Sequence, residues 1–205
     1  TNDPLLTIKT PNIACITGDK LTAFAPDTIG IQYGRDKEKE IIKQLHDIDV
    51  LFNKLDDIED FKNTFLNVAN AEIQYRSEMN ITIQNVYDDI RNTGIILANR
   101  EKQISAENKS KFNDLSVGIR QFKYFLYEGH FRLEEAQTAS AKASYLAAVL
   151  QTDFKGSLNK YRNDIKLEDC LIKNENFNFL NKRLKNVPGG ALHYWKQTLI
   201  LLGEE

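Results

Sequence analysis

The sequence predicts a mainly α-helical protein, an elongated bundle of three long helices with two short helices at the C-terminal end. Two observations predict this class. The 205 residues include only four prolines and ten glycines, so residues that interrupt helices are rare. Apolar residues also recur every three or four positions over long stretches, which is the spacing of one helix face. A small β-like or extended N-terminal arm is expected to join this bundle.

The first 35 residues differ in composition from the rest of the chain. Short runs rich in isoleucine and threonine, such as 5–8, 13–16 and 29–33, alternate with turn residues, and three of the four prolines lie here. This pattern is typical of short strands or an extended segment. We therefore expect an extended or β-like arm over residues 1–35, packed on the helices or on another chain, and a single helical domain over residues 36–205.

The long helices are predicted from apolar spacing and from capping residues. The first covers about residues 37–55, with Asp36 as its N-cap, and the second covers about 58–102. The third covers about 106–165, with Ser105 as its N-cap.

Two short helices are expected after the long ones. The first covers about 168–186 and ends at the strongest break of the chain, Val187 to Gly190, which reads Val-Pro-Gly-Gly. A last amphipathic helix then covers Ala191 to Leu202.

One stretch of the third predicted helix carries a long uncharged stripe, which we call the seam. Its positions are Phe112, Leu115, Ile119, Phe122, Leu126, Gly129, Leu133, Ala136, Ser140, Ala143, Ala147, Leu150, Phe154, Ser157 and Tyr161. Uncharged residues at this spacing predict packing in the manner of a coiled coil. A continuous helix of this length would span roughly 70–75 Å.

The middle of the seam is the first candidate interaction surface. It contains the small residues Gly129, Ala136, Ser140, Ala143 and Ala147, which allow a neighbouring backbone to come close. One interpretation is close packing within the same chain, with the predicted helix 58–102 as the neighbour. The other is self-association, in which helices of two or more subunits share the seam. The aromatic stretch 122–131 is expected to be enclosed.

A second candidate surface lies near the C-terminus. Lys182, Arg183 and Lys185 close a predicted helix, and Trp195 lies in the next one. These residues could contact a membrane surface or an acidic partner. The alternative is that the cations stabilise a helix C-terminus while Trp195 packs on the bundle.

No motif for catalysis or for cofactor binding is present. The three histidines, His46, His130 and His193, lack the Glu-x-x-His spacing of a di-iron bundle, and no nucleophile elbow or phosphate-binding loop occurs. The two cysteines, Cys15 and Cys170, are too few for a disulfide framework, and free thiols are favoured over a single bridge. We expect no enzyme activity, no metal and no cofactor.

The overall charge argues against nucleic acid as a partner. The net charge is −2, which gives no general attraction to nucleic acid or to an anionic membrane. The N-terminus shows no signal-peptide pattern and no long apolar run is present, which favours the cytoplasm without assigning a compartment. The sequence thus predicts a non-enzymatic assembly or protein-interaction protein. The alternative is a membrane-active helical protein, either a peripheral curvature-type binder or a component of an α-helical toxin.

Overall fold

The computed structural model describes residues 8–205, and within that range it consists of helices and the segments that connect them. The α-helices of this range are, in chain order, α1 (Ile13–Ala23), α2 (Glu38–Lys54), α3 (Ile58–Tyr75), α4 (Ile83–Asn99), α5 (Ala106–Phe122), α6 (Leu133–Gln151), α7 (Leu167–Cys170), α8 (Phe179–Leu184) and α9 (Ala191–Leu202). Single turns of 3-10 helix follow α3 and α5 and precede α9. The predicted mainly α class is confirmed.

The β-like N-terminal arm is wrong for the part of the chain that the structure describes. Residues 8–205 contain no strand, and α1 occupies the middle of the predicted arm. The Asn12 side chain caps this helix by accepting the Cys15 N–H at 2.8 Å. Packing on α2 and α3 stabilises α1, and a Cβ placed on Gly18 would lie 2.9 Å from backbone atoms of Phe61 and Phe65. Residues 1–7 of the arm lie outside the described residues.

The second predicted long helix is divided into α3 and α4. The chain leaves the helical conformation at Asn80, which has a left-handed φ of 50°. Thr82 then starts α4 through reciprocal capping, because its Oγ1 accepts the Asn85 N–H at 3.3 Å and the Asn85 Oδ1 accepts the Thr82 N–H at 2.9 Å. The break therefore comes from turn and capping residues and needs no proline.

The third predicted long helix is also divided, and its end is not helical. It becomes α5 and α6, and residues 152–166 contain no helix. The longest helix, α6, has 19 residues, which corresponds to about 28 Å, so the predicted rod of 70–75 Å does not form. Two tyrosines hold the segment after α6: Tyr145 Oη accepts the Asn159 N–H, and Tyr194 Oη accepts the Tyr161 N–H, both at 3.1 Å.

Other predicted boundaries agree with the structure. The first long helix corresponds to α2 and the last helix to α9. Ser105 caps α5 as expected, because its Oγ accepts the Asn108 N–H at 3.0 Å. Asp36, in contrast, is not an N-cap: Lys37 takes that position and Asp36 has a φ of 55°. The helix predicted over 168–186 is split into α7 and α8.

The core is organised around α6. Every residue from Ala136 to Val149 is buried, and the helices packed around α6 include α2, α4 and α9. A helix that is enclosed on all sides needs small residues so that several neighbours can approach it. The alanines and serines of α6 meet this need.

Candidate functional site

The seam residues predicted as an interaction surface divide into two groups. Ala136, Ser140, Ala143 and Ala147 are fully buried on α6 by helices of the same chain. Gly129 lies seven residues before Ala136 in the chain, in an exposed turn with a φ of 82°. The structure therefore brings four of the five residues together and leaves Gly129 apart. A glycine suits this turn because L-residues rarely adopt a positive φ.

Helix α4 comes very close to α6 at Gly94. A Cβ placed on Gly94 would lie 2.5 Å from Ser144 Oγ, 3.0 Å from Trp195 Cζ2 and 3.3 Å from the Ser140 carbonyl oxygen. Helix α4 lies within the predicted range 58–102, so the close neighbour of α6 is one part of that range and not a continuous helix over it. The packing also fixes Trp195 of α9 between α4 and α6.

The C-terminal candidate residues do not form one surface. Trp195 is 1% exposed and belongs to the core, whereas Lys182 and Lys185 are exposed and Arg183 is partly exposed. Lys182 and Arg183 lie in the last turn of α8, where cations interact favourably with the helix dipole. The indole is therefore not available beside these cations.

The connection between α5 and α6 exposes aromatic side chains that the sequence pattern did not reveal. We call residues 123–132 the aromatic segment. Tyr124, Phe125 and Tyr127 are 83%, 65% and 99% exposed. The enclosed environment expected for residues 122–131 holds at its two ends, where Phe122 and Phe131 are buried, and is wrong between them.

The buried ends of this stretch explain why its middle is exposed. The rings of Phe122 and Phe131 meet edge to face at 5.8 Å and pack on the imidazole of His46 in α2, at 5.1 and 5.3 Å. Because both ends are fixed to the same side chain of α2, the residues between them must leave the surface as a loop. Edge-to-face aromatic contacts of this kind stabilise a fold beyond their buried area.

A groove of about 500 Å³ lies beside the exposed aromatic rings. Its lining residues come from α2, α5 and the two connections that adjoin them: Asp36, Lys39, Glu40, Val117, Arg120, Gln121, Tyr124 and Phe125. The Lys39 ammonium lies 4.1 Å from the centre of the Phe125 ring, a cation–π geometry. Lys123 lies 5.9 Å from the centre of the Tyr124 ring. The aromatic rings are thus bordered by charges of both signs.

Histidine, cysteine and acidic side chains are the groups that most often carry catalysis or hold a metal. Within residues 8–205, no cluster of three or more histidine, cysteine or acidic side chains has the arrangement of a metal site. His130 Nε2 lies 3.1 Å from Glu135 in an exposed pair. Both cysteines are free thiols, with Cys170 buried and Cys15 partly buried. No helix among the described residues is long and apolar enough to cross a membrane.

The most buried cation belongs to the packing of the core. Lys142 is 6% exposed, and its ammonium lies 2.8 Å from Asp49 Oδ1 and 3.2 Å from Asn53 Oδ1. The rings of Phe52 and Tyr194 lie 5.3 and 5.7 Å from the same nitrogen. A buried charge needs such partners, so this arrangement joins α6 to α2.

Comparisons of this chain with protein-family models, with curated proteins and with solved structures found no match. The feature of the protein surface with the clearest chemical character is the aromatic segment. A signal for it was present in the sequence, because Glu128-Gly129-His130 has the composition of a turn.

Proposed function

We propose that this chain is a non-enzymatic protein-interaction protein that binds a partner protein through the aromatic segment and the groove beside it. The observation that carries the proposal is the exposure of Tyr124, Phe125 and Tyr127 within four consecutive positions. Aromatic side chains are enriched at the centres of protein interfaces, where they supply much of the binding energy. Single exposed apolar residues are common on protein surfaces, but a contiguous patch usually marks a contact site.

The size of the patch fits an interaction surface. Three aromatic side chains with these exposures offer roughly 500 Å² of contact area. A stable interface buries about 800 Å² on each partner. The aromatic segment would therefore supply more than half of such a surface, and the adjoining groove residues would supply the rest.

The charges around the patch favour a protein as the occupant. The cations Lys39 and Arg120 share the groove with the carboxylates Asp36 and Glu40. Nucleic acid and anionic membranes require a surface in which cations predominate. A mixed rim around an aromatic centre is the composition of a protein–protein interface.

One carboxylate oxygen of Glu40, a residue that lines the groove, has no hydrogen-bond donor among the described residues. Glu40 Oε2 is shielded from solvent and accepts no hydrogen bond from any of them. A buried acceptor without a donor costs free energy. Rotation of the Glu40 carboxylate towards the groove would bring this oxygen to an N–H or O–H group of the bound partner, which adds a polar contact to the aromatic ones.

The proposal can be tested by site-specific crosslinking in source cells. A photoreactive benzoylphenylalanine replaces Tyr127 in one variant and Ile104 in the other; both positions are 99% exposed. We expect a protein crosslinked from position 127 and not from position 104. That protein, once purified, should bind the wild-type chain in titration calorimetry. Its binding should be lost on Phe125→Ser with Tyr127→Ser, and retained on the control pair Tyr75→Ser with Ile104→Ser.

Other outcomes would overturn the proposal. Equal crosslinking from both positions, or binding that survives the change at Phe125 and Tyr127, would remove the aromatic segment as the binding surface. Crosslinking only to a second copy of the chain, with a concentration-dependent mass in light scattering, would replace the partner with self-association. Sedimentation with vesicles that depends on Phe125 and Tyr127 would favour the alternative, a membrane-active protein.

A further inference from the structure

A buried carboxyl group on α4 holds the connection between α1 and α2. Asp89 is 4% exposed. Its Oδ2 accepts the backbone N–H of Asp27 at 2.9 Å and the hydroxyl of Thr28 at 2.8 Å. Both donors belong to residues 24–34, which we call the α1–α2 connection. These two contacts join this connection to α4 through a single side chain.

The other oxygen of Asp89 contacts a chain of hydroxyl groups. Its Oδ1 lies 3.4 Å from Thr93 Oγ1, and that oxygen lies 3.3 Å from Tyr33 Oη. When Asp89 is protonated, its Oδ1–H can donate to Thr93, and Thr93 can donate to Tyr33. The protonated form therefore keeps both contacts of Oδ2 and reverses the hydrogen bond with Thr93, whose hydroxyl donates to the charged form.

The charged groups around Asp89 do not neutralise it. On the α1–α2 connection, the charged group that acts on Asp89 is the Asp27 carboxylate, which repels it. On α5, the Lys111 ammonium is already paired, because it lies 2.7 Å from Asp27 and 2.7 Å from Glu107. Asp114, on the same helix, is an anion and accepts the Gly34 N–H at 3.2 Å.

The remaining neighbours of α4 supply no counter-charge either. The helices α3, α6 and α8 also pack on α4, and within residues 8–205 no cation forms an ion pair with Asp89. On α4 itself, Asp88 is paired with Arg91. Burial without a cation disfavours the charged form of a carboxyl group.

We propose that Asp89 is a proton-controlled latch, which holds the α1–α2 connection closed against α4 when its carboxyl is protonated and loosens it when the proton leaves. The proton moves between the Asp89 carboxyl and water, so no other reactant is required. The connection also forms one wall of a groove of about 830 Å³, through Gly30, Ile31 and Gln32. Release of the latch would therefore change the shape of that groove.

The direction of the pH effect follows from the difference between the closed and open states. Burial raises the pKa of Asp89 from 3.8 to about 7, against the opposing effect of its hydrogen bonds. In the open state the carboxyl is solvated and has its ordinary pKa. Between these two values only the closed state holds the proton, so the connection opens more readily as pH rises from about 4 to about 7 and no further above that.

Hydrogen–deuterium exchange tests the latch directly. Protection of the amides in residues 24–34, corrected for the intrinsic exchange rate, is measured at pH 5 and pH 7. One proton with these two pKa values predicts that protection falls about 50-fold over this interval. Amides of α6 should keep their protection, because the latch does not involve them.

Two variants separate the latch from other effects of pH. Asp89→Asn has the shape and the donor of the protonated form, so protection of residues 24–34 should be the same at both pH values. Asp88→Asn, which changes an exposed carboxylate beside it, should behave as wild type. The proposal is overturned if wild-type protection changes less than twofold, if Asp89→Asn keeps the fall, or if α6 loses protection equally.

A second measurement applies if Asp89→Asn does not fold. A carbon-13 NMR titration of the wild-type aspartate carboxyl groups should show one that titrates near neutral pH. If every aspartate titrates below pH 5, Asp89 is charged throughout the proposed range and the latch does not exist.

Discussion

The packing at Gly94 makes a sharp prediction for the substitution Gly94→Ala. In an exposed helix, replacing glycine by alanine stabilises a protein by about 1 kcal/mol, because alanine loses less backbone entropy. In α4 the new methyl group would lie 2.5 Å from Ser144 Oγ and 3.0 Å from Trp195 Cζ2. Both distances are shorter than van der Waals contact, so α4, α6 and α9 cannot all keep their positions.

The expected magnitude follows from two opposing contributions. Overpacking a core by one methyl group costs about 1–3 kcal/mol. Rotation of the Ser144 side chain could relieve the shortest contact, but it would break the hydrogen bond from Ser144 Oγ to the Ser140 carbonyl, which is 2.9 Å long and contributes about 1 kcal/mol. After the gain in helix propensity, Gly94→Ala should lower the free energy of unfolding by up to about 2 kcal/mol.

A double-mutant cycle with Ser144→Ala tests the cause. This change removes the Oγ that obstructs the new methyl group, and by itself it should alter stability by less than about 1 kcal/mol, since alanine has the higher helix propensity. The double variant should recover about 1 kcal/mol of the loss caused by Gly94→Ala.

Urea unfolding gives these free energies, and the chain provides a local reporter. Trp195 is the only tryptophan and contacts the changed position, so its fluorescence and the circular dichroism of the helices should give coincident transitions. A variant Gly94→Ala that is more stable than wild type would show that the crossing is not crowded. Additive effects of the two substitutions would show that Ser144 is not the obstacle.

Four further substitutions test three other contacts by urea unfolding. Gly118→Ala should cost about 3 kcal/mol, because a Cβ there would overlap the backbone carbonyl of Glu38; a loss below about 1 kcal/mol would contradict this packing. Asp49→Asn should lower the free energy of unfolding by about 3 kcal/mol, and Lys142→Met by about 1–2 kcal/mol. The first change costs more because it leaves the Lys142 ammonium, on a residue that is 6% exposed, without its counter-charge. The reverse order would contradict the buried pair. Ala143→Leu should cost about 1–3 kcal/mol, because Ala143 is fully buried on α6, and unchanged stability would refute close packing there.

Several features of the fold could be predicted because short-range signals determine them. The start of α5 depends on Ser105, whose hydroxyl is the cap, and α9 begins after the break formed by Pro188 and its two glycines. Such signals act within one turn of helix, so the identity of the residue is sufficient.

The N-terminal helix could not be predicted from its composition. The run 13–16 is rich in β-branched and small residues and locally favours a strand. Long-range contacts decide the outcome, since Gly18 of α1 packs directly on the backbone of α3. The amide of Asn12 also donates to Asp60 at the start of α3, at 2.6 Å. A residue 48 positions away in the chain is not visible to a local pattern.

The aromatic segment was hidden by the same periodicity that revealed the helices. Apolar residues recur at helical spacing through Phe122, Leu126 and Gly129, which suggested one continuous helix. Periodicity records which residues can be buried and does not record whether the chain between them is helical. Here Phe122 and Phe131 are buried from opposite ends of a loop, and Gly129 permits its turn.

The position of α2 connects the two functional proposals. Its residue Glu40 lines the groove beside the aromatic segment and also the groove formed by the α1–α2 connection. The seam of α6 is enclosed by its neighbours, so the contact surface that we propose lies on the connections between helices and not on the seam. Because Glu40 lines both grooves, we expect release of the connection by Asp89 to alter the groove to which a partner is proposed to bind. Thermodynamic linkage makes this coupling reciprocal. A partner that binds only one shape of the groove must therefore change the pKa of Asp89.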